Sequence, residues 1–261
     1  IPIISPFSKK TNIIEGNENV FQFPPSLNNQ LSVLSEYIFK NHINDNLLLV
    51  MRDTIFDVRQ NKIEGLNQNP TSVDTLIPED IFYAQMMLSH IDTVDISFQE
   101  IRVQSNVIDS IHHHLDTLGM RNIIMIPSED DVFVTDLLSK LHACRDTNMI
   151  IYGMPKLSNF NHISIYDLID MKVTFPHNKV FNERETNDFI IDFASKYHYI
   201  PTLKYASVGY ELGVYFLNFL FTNQSLAHSY YEYYDEKTIL GTTYFFKKED
   251  NGGYRNKAAL I

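Results

Sequence analysis

The stretch NIIMIPSEDDVFVTDLLSKL, residues 122–141, decides the fold. Its first five residues, 122–126, are almost all apolar and show no alternation. A strand of that kind buries both faces, as parallel strands do when helices cover each side of a sheet. Pro127 and Ser128 stop the run, three acids follow in a row, and an apolar helical pattern begins. Ser128 with Asp131 three residues later forms a capping-box pattern, and acids in a first turn complement the positive end of the helix dipole. A strand-to-helix turn is also where ligands sit in α/β sheets, beyond the carboxyl ends of the strands. The acids therefore admit two readings: a capped helix and nothing more, or a site with Ser128 and Glu129 turned to a ligand while Asp130 and Asp131 face solvent. They would repel a phosphate that could otherwise dock on such a helix end.

Working outward, strand-length apolar runs recur at 2–5, 46–51, 95–103, 149–152 and 171–175, with helical patterns between most of them. Ser26 precedes a pattern that places Leu31, Leu34, Ile38 and Phe39 on one face. Ser105 or Asn106 opens another, VIDSIHHHLDTLG, closing at Gly119. Near-continuous apolar strands alternating with amphipathic helices define an α/β fold. Residues 66–90 break the rhythm; NQNPTSVDTLIPED is rich in turn formers and reads as a surface insertion. Further on, NERETNDFIIDFASKYHYIP and KYASVGYELGVYFLNFLFTN read as two successive helices, and the terminal TTYFFKKEDNGGYRNKAALI as a hairpin turning at Asn251, Gly252 and Gly253.

The chain has 261 residues, 44% of them hydrophobic, enough for one large domain or two modest ones. Its formal net charge of −11 argues against nucleic acid, which is gripped by clustered Lys and Arg, and against anionic membrane surfaces. The single cysteine, Cys144, permits neither an internal disulfide nor a cysteine zinc cage. It sits in an apolar helical pattern, where a thiol is usually inert. The most apolar stretch, GVYFLNFLF at 213–221, is too short to span a membrane. No glycine-rich phosphate loop and no G-x-S-x-G elbow occurs.

The order of segments resembles the type 1 periplasmic binding proteins, the fold of leucine/isoleucine/valine-binding proteins and amino-acid receptor ectodomains. IPIISPFSKKTN with VFQFPPSLNNQLSVLSEYIFKN resembles that family's lobe-one strand, cleft loop and following helix. KVTFPHNKVFNERETNDFIIDFASKYHYIPTLKYASVGYELGVYFLNFLF resembles the strand that returns through the hinge and the two helices that pack on lobe one. Val208 to Glu211 stand where the family often has a Gly-Tyr-Asp turn. IMIPSEDDVFVTDLLSKLHACRD and IIYGMPKL resemble the paired lobe-two strands whose ends face the cleft. Among members, the likeness is to envelope proteins of Bacteroidetes-type bacteria, LysM-associated or amino-acid ABC-transporter binding proteins.

The resemblance implies an α/β, two-lobed fold with parallel sheets flanked by helices. Residues 1–45 and 176–236 would form lobe one, and 46–175 with the terminal hairpin 237–261 lobe two, joined by three crossings. Lobe one would lack its N-terminal βα units, so an upstream segment is expected. Closure on a small polar ligand (amino acid, peptide or cell-wall fragment) would make the chain a non-catalytic solute-binding or sensory protein of the periplasm or cell envelope. A preceding segment could carry a lipid anchor, and a membrane transporter or peptidoglycan would be the partner. Ser5, Phe7 and Ser8 would offer hydroxyls and backbone N–H groups to a ligand carboxylate. Tyr210 and Glu211 would open a helix pointing at the cleft, while Ser128, Glu129 and Lys156 would come from lobe two. Lys156 stands where amino-acid binders often carry an acid, and a lysine prefers an anionic or carbonyl-bearing group. No cofactor is expected.

Two rival functions remain open at this point. An envelope scaffold or partner-binding module would keep the fold without a ligand. A metal-dependent transferase or hydrolase would use Asp53 and Asp57 with Glu129 to Asp131 around Mg²⁺. His112, His113 and His114, consecutive on a helix, point three ways and suit a solvated surface better than a metal. Tyr230, Tyr231, Tyr233 and Tyr234 read as an irregular surface segment that could stack on a sugar or peptide.

Overall fold

The computed structural model describes residues 2–8, 10–53, 79–89, 97–103, 108–143, 148–160, 162–223 and 235–261. Asp57, Cys144, the four tyrosines at 230–234, the helix-opening Ser105 and Asn106, and most of the expected insertion lie outside them. The chain forms two compact units, Leu31–Pro176 with Ile261, and Ile1–Gln30 with His177–Leu260.

The 31–176 unit is a five-stranded, all-parallel sheet of β3 (Asn46–Arg52), β4 (Gln99–Val103), β5 (Asn122–Ile126), β6 (Met149–Gly153) and β7 (Val173–Thr174). Its strand order is β4-β3-β5-β6-β7. Every residue of β5 is buried, whereas the edge strand β4 alternates, which is what burial on two faces and on one face dictate. Leu48, Val50, Ile124, Ile126 and Ile151 meet Phe133, Val134, Leu137, Leu138 and Leu141 of the helix α3 (Asp131–Ala143) in one aliphatic core. The helix α1 (Leu27–Asn41) buries Leu31, Leu34, Ile38 and Phe39, the face its spacing predicts. Residues 79–88, expected within a surface insertion, form the helix α2 (Glu79–Leu88) with Asp80, Ala84 and Met87 buried. The expected helix ending at Gly119 is instead a 3-10 turn, Ile108–His114. Beyond it, the Asp116 carboxylate accepts three successive N–H groups from Leu118 to Met120. His112, His113 and His114 are exposed there.

The other unit is built from short strands gathered from distant parts of the chain. β1 (Ile3–Ser5) and β2 (Val20–Gln22) run parallel, β11 (Tyr254–Asn256) lies parallel to β2, and β10 (Phe246–Lys248) is antiparallel to β11. The terminal hairpin forms as expected, but it joins β2 in this unit rather than the 46–175 segment. Two crossings at Gln30/Leu31 and Pro176/His177 therefore link the units, with Ile261 alone grouped back into the 31–176 unit. Gly253 permits the pairing: a Cβ there would sit 2.1 Å from the Val20 carbonyl oxygen. After the short helix α4 (Ile165–Asp170) of the 31–176 unit, the two successive helices are present as α5 (Glu183–Tyr197) and α6 (Leu203–Asn223), with His198 after α5 in the left-handed region at φ 61°. A second hairpin, β8 (Lys237–Ile239) with β9 (Thr242–Tyr244), turns through Leu240 and Gly241, both at positive φ as a type I′ turn requires. The core is aromatic: Phe21 stacks on Tyr254 at 4.4 Å and meets Phe246 edge-on, with Phe23, Tyr215, Phe219 and Tyr244 around them.

Candidate functional site

In the 31–176 unit, the carboxyl ends of β3, β5 and β6 carry a connected polar cluster. Arg52, the last residue of β3, donates from Nη1 to Asp130 Oδ2 at 2.6 Å, and its backbone N–H donates to Asp80 Oδ2 at 3.3 Å. Arg52 Nε lies 3.8 Å from the same Asp80 oxygen. Asp80 also shares a side-chain hydrogen bond with Ser128. Burial raises the Asp80 pKa, and Ser128 and Arg52 only partly offset it.

Ser128 is fully buried, and its hydroxyl accepts from Asp130 N–H at 3.3 Å. The helix cap is Asp130, not Ser128: Asp130 Oδ1 accepts from Phe133 N–H at 2.8 Å, and its carbonyl from Val134 N–H. Asp130 therefore caps α3 and pairs with Arg52 at once, which corrects the expectation that it faces solvent. A carboxylate has two oxygens, and each is used. Asp131 sits in the first turn of α3, half-exposed, 4.0 Å from His162.

Glu129 and Lys156 come together beside this scaffold. Lys156 Nζ donates to the Glu129 carbonyl at 3.1 Å and lies 3.9 Å from its carboxylate. Tyr83 of α2 hydrogen-bonds the Glu129 side chain, and burial first, then the Glu129 charge, pushes its phenol up to about 12. The result is an ammonium and a carboxylate past two adjoining strand ends, with a protonated phenol from α2 on the carboxylate, beside an Arg52–Asp80–Asp130 cluster of which Asp80 is buried. Such a set can donate to and accept from one small polar group. Among the described residues, no cluster of three or more His, Cys, Asp or Glu side chains is arranged to hold a metal.

The remaining expected residues lie in the other unit. Ser5 accepts Phe23 N–H through its carbonyl at 3.0 Å. The Ser8 carbonyl accepts from Gln22 Nε2 at 2.9 Å, and its hydroxyl from Lys10 N–H. Phe7 is exposed, with its ring edge-on to Tyr205 at 5.8 Å. Tyr210 is half-exposed against Phe189 at 5.0 Å. Glu211, by contrast, is buried, accepting from Lys179 Nζ at 3.1 Å and from the Tyr244 hydroxyl. Burial, reinforced by the Glu211 charge, drives the Tyr244 pKa far upward.

Just past β1 and β2 lies a cavity of about 190 Å³ bordered by Pro6, Phe23, Gln30, Lys179, Glu211 and Tyr244. The expected and the observed residues overlap there at Glu211 alone. Arg52, Asp80, Tyr83, Gln30, Lys179 and Tyr244 were not anticipated. Arg52 carried a readable signal, a cation ending the apolar run NLLLVMR. Asp80 and Tyr83 were hidden by the turn-rich composition just before them.

No family model and no curated protein matches the chain. Among solved structures it is similar to a putative branched-chain amino acid ABC transporter from Rhodospirillum rubrum, with 14% sequence identity and a TM-score of 0.45. The match covers 81% of this chain and 54% of that one, so the chain spans about half the length of that structure.

Proposed function

We propose that the chain is a non-catalytic binding protein for a small polar ligand, an amino acid, peptide or cell-wall fragment, read at the carboxyl ends of its parallel strands. Ser128, Glu129 and Lys156 serve the 31–176 unit, and Ser5, Phe7, Ser8, Tyr210 and Glu211 the other. The supporting observation is the meeting of Lys156 and Glu129 past the ends of β6 and β5, where α/β sheets hold ligands, with Tyr83 of α2 on the Glu129 side chain. Ser128 acts from below: buried and bonded to Asp80 and Asp130, it fixes the backbone from which Glu129 projects.

An ammonium and a carboxylate side by side suit a ligand carrying both an acceptor and a donor. A lysine held by a backbone carbonyl leaves further protons for a ligand carboxylate or amide oxygen. The role as a solute-binding or sensory protein of the bacterial envelope, served by a transporter or peptidoglycan, rests on the resemblance in segment order alone.

Isothermal titration against amino acids, short peptides and cell-wall fragments tests the reading. Binding is expected with at least one class, weakened roughly 10- to 100-fold by Lys156→Ala and by Glu129→Gln, the worth of one charge-assisted hydrogen bond. No heat with any of the three classes, or wild-type affinity in both variants, overturns it.

A further inference from the structure

A wide cavity lies elsewhere, in the unit that contains α5 and α6. It is a groove of about 800 Å³ between these helices and the β8 hairpin. Its lining on α5 runs from Glu185 to Tyr197, about 18 Å at 1.5 Å per residue. The floor is aromatic: Phe189 lies 5.0 Å from Tyr210 and 5.9 Å from Phe193, whose ring is 4.6 Å from Tyr197.

Along one rim, Glu185, Asp188 and Asp192 are exposed at spacings of three and four residues, so they form one ribbon of carboxylates on α5. Two cations also line the groove: Lys196 at the far end of the ribbon, 5.4 Å from the centre of the Tyr197 ring, and Lys237 on β8, away from the α5 ribbon. An apolar floor about three helical turns long beside an acidic ribbon has the charge and shape complement of a basic amphipathic helix. A second copy of this chain fits poorly, because its net charge is −11 and the ribbon would repel it.

We propose that this groove docks a basic amphipathic helical segment of a partner protein, its Leu- or Phe-bearing face on Phe189, Phe193 and Tyr210 and its Lys or Arg flank along Glu185, Asp188 and Asp192. The site is separate from the strand-end cluster and does not depend on the function proposed for it.

Fluorescence anisotropy with a labelled 15-residue Leu/Lys amphipathic helix tests the proposal, with the same pattern in Leu/Glu as its counterpart. The Leu/Lys helix is expected to bind, and the Leu/Glu helix to bind at least about tenfold more weakly. Asp188→Lys with Asp192→Lys should weaken the Leu/Lys helix about tenfold or more, whereas Glu18→Lys with Glu36→Lys, an equal reversal at exposed positions elsewhere, should change it less than about twofold. Tyr197→Ala should cost about fivefold, since an aromatic anchor is lost from the groove. Equal weakening by both double variants means non-specific attraction to an acidic protein and overturns the proposal. So does indifference to Tyr197→Ala, or self-association that Asp188→Lys with Asp192→Lys dissolves.

Discussion

The two compact units solve the same problem, burying a sheet, with different chemistry. In the 31–176 unit five parallel strands bury aliphatic side chains, and β5 carries no exposed residue at all. In the other unit each described strand is three residues long, and the interior mixes aromatic rings with buried Gln22, Arg255 and Asn256. Long parallel strands fix their register through hydrophobic runs, because a slip would expose a whole face. Three-residue strands bury too little for that, so side-chain hydrogen bonds tie them. Gln22 donates to the Ser8 and Lys10 carbonyls and accepts from Arg255 Nη1 at 2.8 Å. Asn256 accepts from the N–H groups of Phe245 and Ala258 and donates to the Phe23 carbonyl.

The aromatic core should yield the largest effect. Phe21→Ala removes a fully buried ring that stacks on Tyr254 and meets Phe216 and Phe246 edge-on. A loss of about 3–5 kcal/mol in chemical denaturation is expected, against about 0.5–1.5 kcal/mol for Ile124→Val in the aliphatic sheet. A cost near 1 kcal/mol for Phe21→Ala would mean that its rings stack without bearing the fold.

Next comes Asn256→Ala, which strands the buried Ala258 N–H, the partly buried Phe245 N–H and the Phe23 carbonyl. At about 1–3 kcal/mol for a buried group left unpaired, a total on the order of 3 kcal/mol is expected, and Asn256→Asp should recover part of it by accepting the two N–H bonds. Hydrogen exchange at Phe245 and Ala258 is the direct readout. Gly253→Ala should cost about 1–3 kcal/mol, because its methyl would press on the Val20 and Asn17 carbonyls across the β2–β11 seam. Unchanged stability there would show that the seam can open without loss.

The same contrast explains what could be read from the sequence. The central strands β3, β5 and β6 were legible because burial on both faces writes itself as an apolar run, whereas the edge strand β4, buried on one face, occupies only the end of the run read at 95–103. β2 was not: VFQ is three residues long and ends in a glutamine whose burial depends on Arg255, 233 residues away. The hairpin turn at 251–253 was legible, but its partner was not, since joining β2 is a tertiary choice that no local pattern encodes. At the strand ends, Ser128, Glu129 and Lys156 were named from sequence and two of them touch. Asp130 was misread because a capping-box pattern does not reveal that an arginine will occupy the other carboxylate oxygen. Glu211 was expected to point toward a ligand, yet the sequence could not show that Lys179 and Tyr244 would converge on it.

The smallest effects come from one carboxyl group in each unit, and they have opposite signs. Burial pushes the Glu249 pKa up, but hydrogen bonds and charge from Lys257 and Arg255 outweigh it and leave it below the ordinary 4.5. Its contribution to stability is therefore present above pH 4.5 and lost as pH falls through the lower folded value. For Asp80 burial wins, and the folded value lies above the ordinary 3.8. Its favourable contribution is complete below pH 3.8 and lost as pH rises through the raised folded value, so at neutral pH the charged form is a cost. Asp80→Asn keeps the shape and the bond to Arg52 N–H, and should raise stability at neutral pH slightly by removing the cost of the buried charge. Glu249→Gln should lower it by at most about 0.5 kcal/mol, since a partly exposed pair is screened by water. Melting curves taken from pH 7 to pH 4 should bring each variant closer to the wild type as the pH falls, Asp80→Asn from above and Glu249→Gln from below. If Asp80→Asn instead starts below the wild type at pH 7, the Arg52–Asp80 attraction exceeds the cost of burying the charge, and the base under Glu129 and Lys156 is held by ion pairing rather than in spite of it.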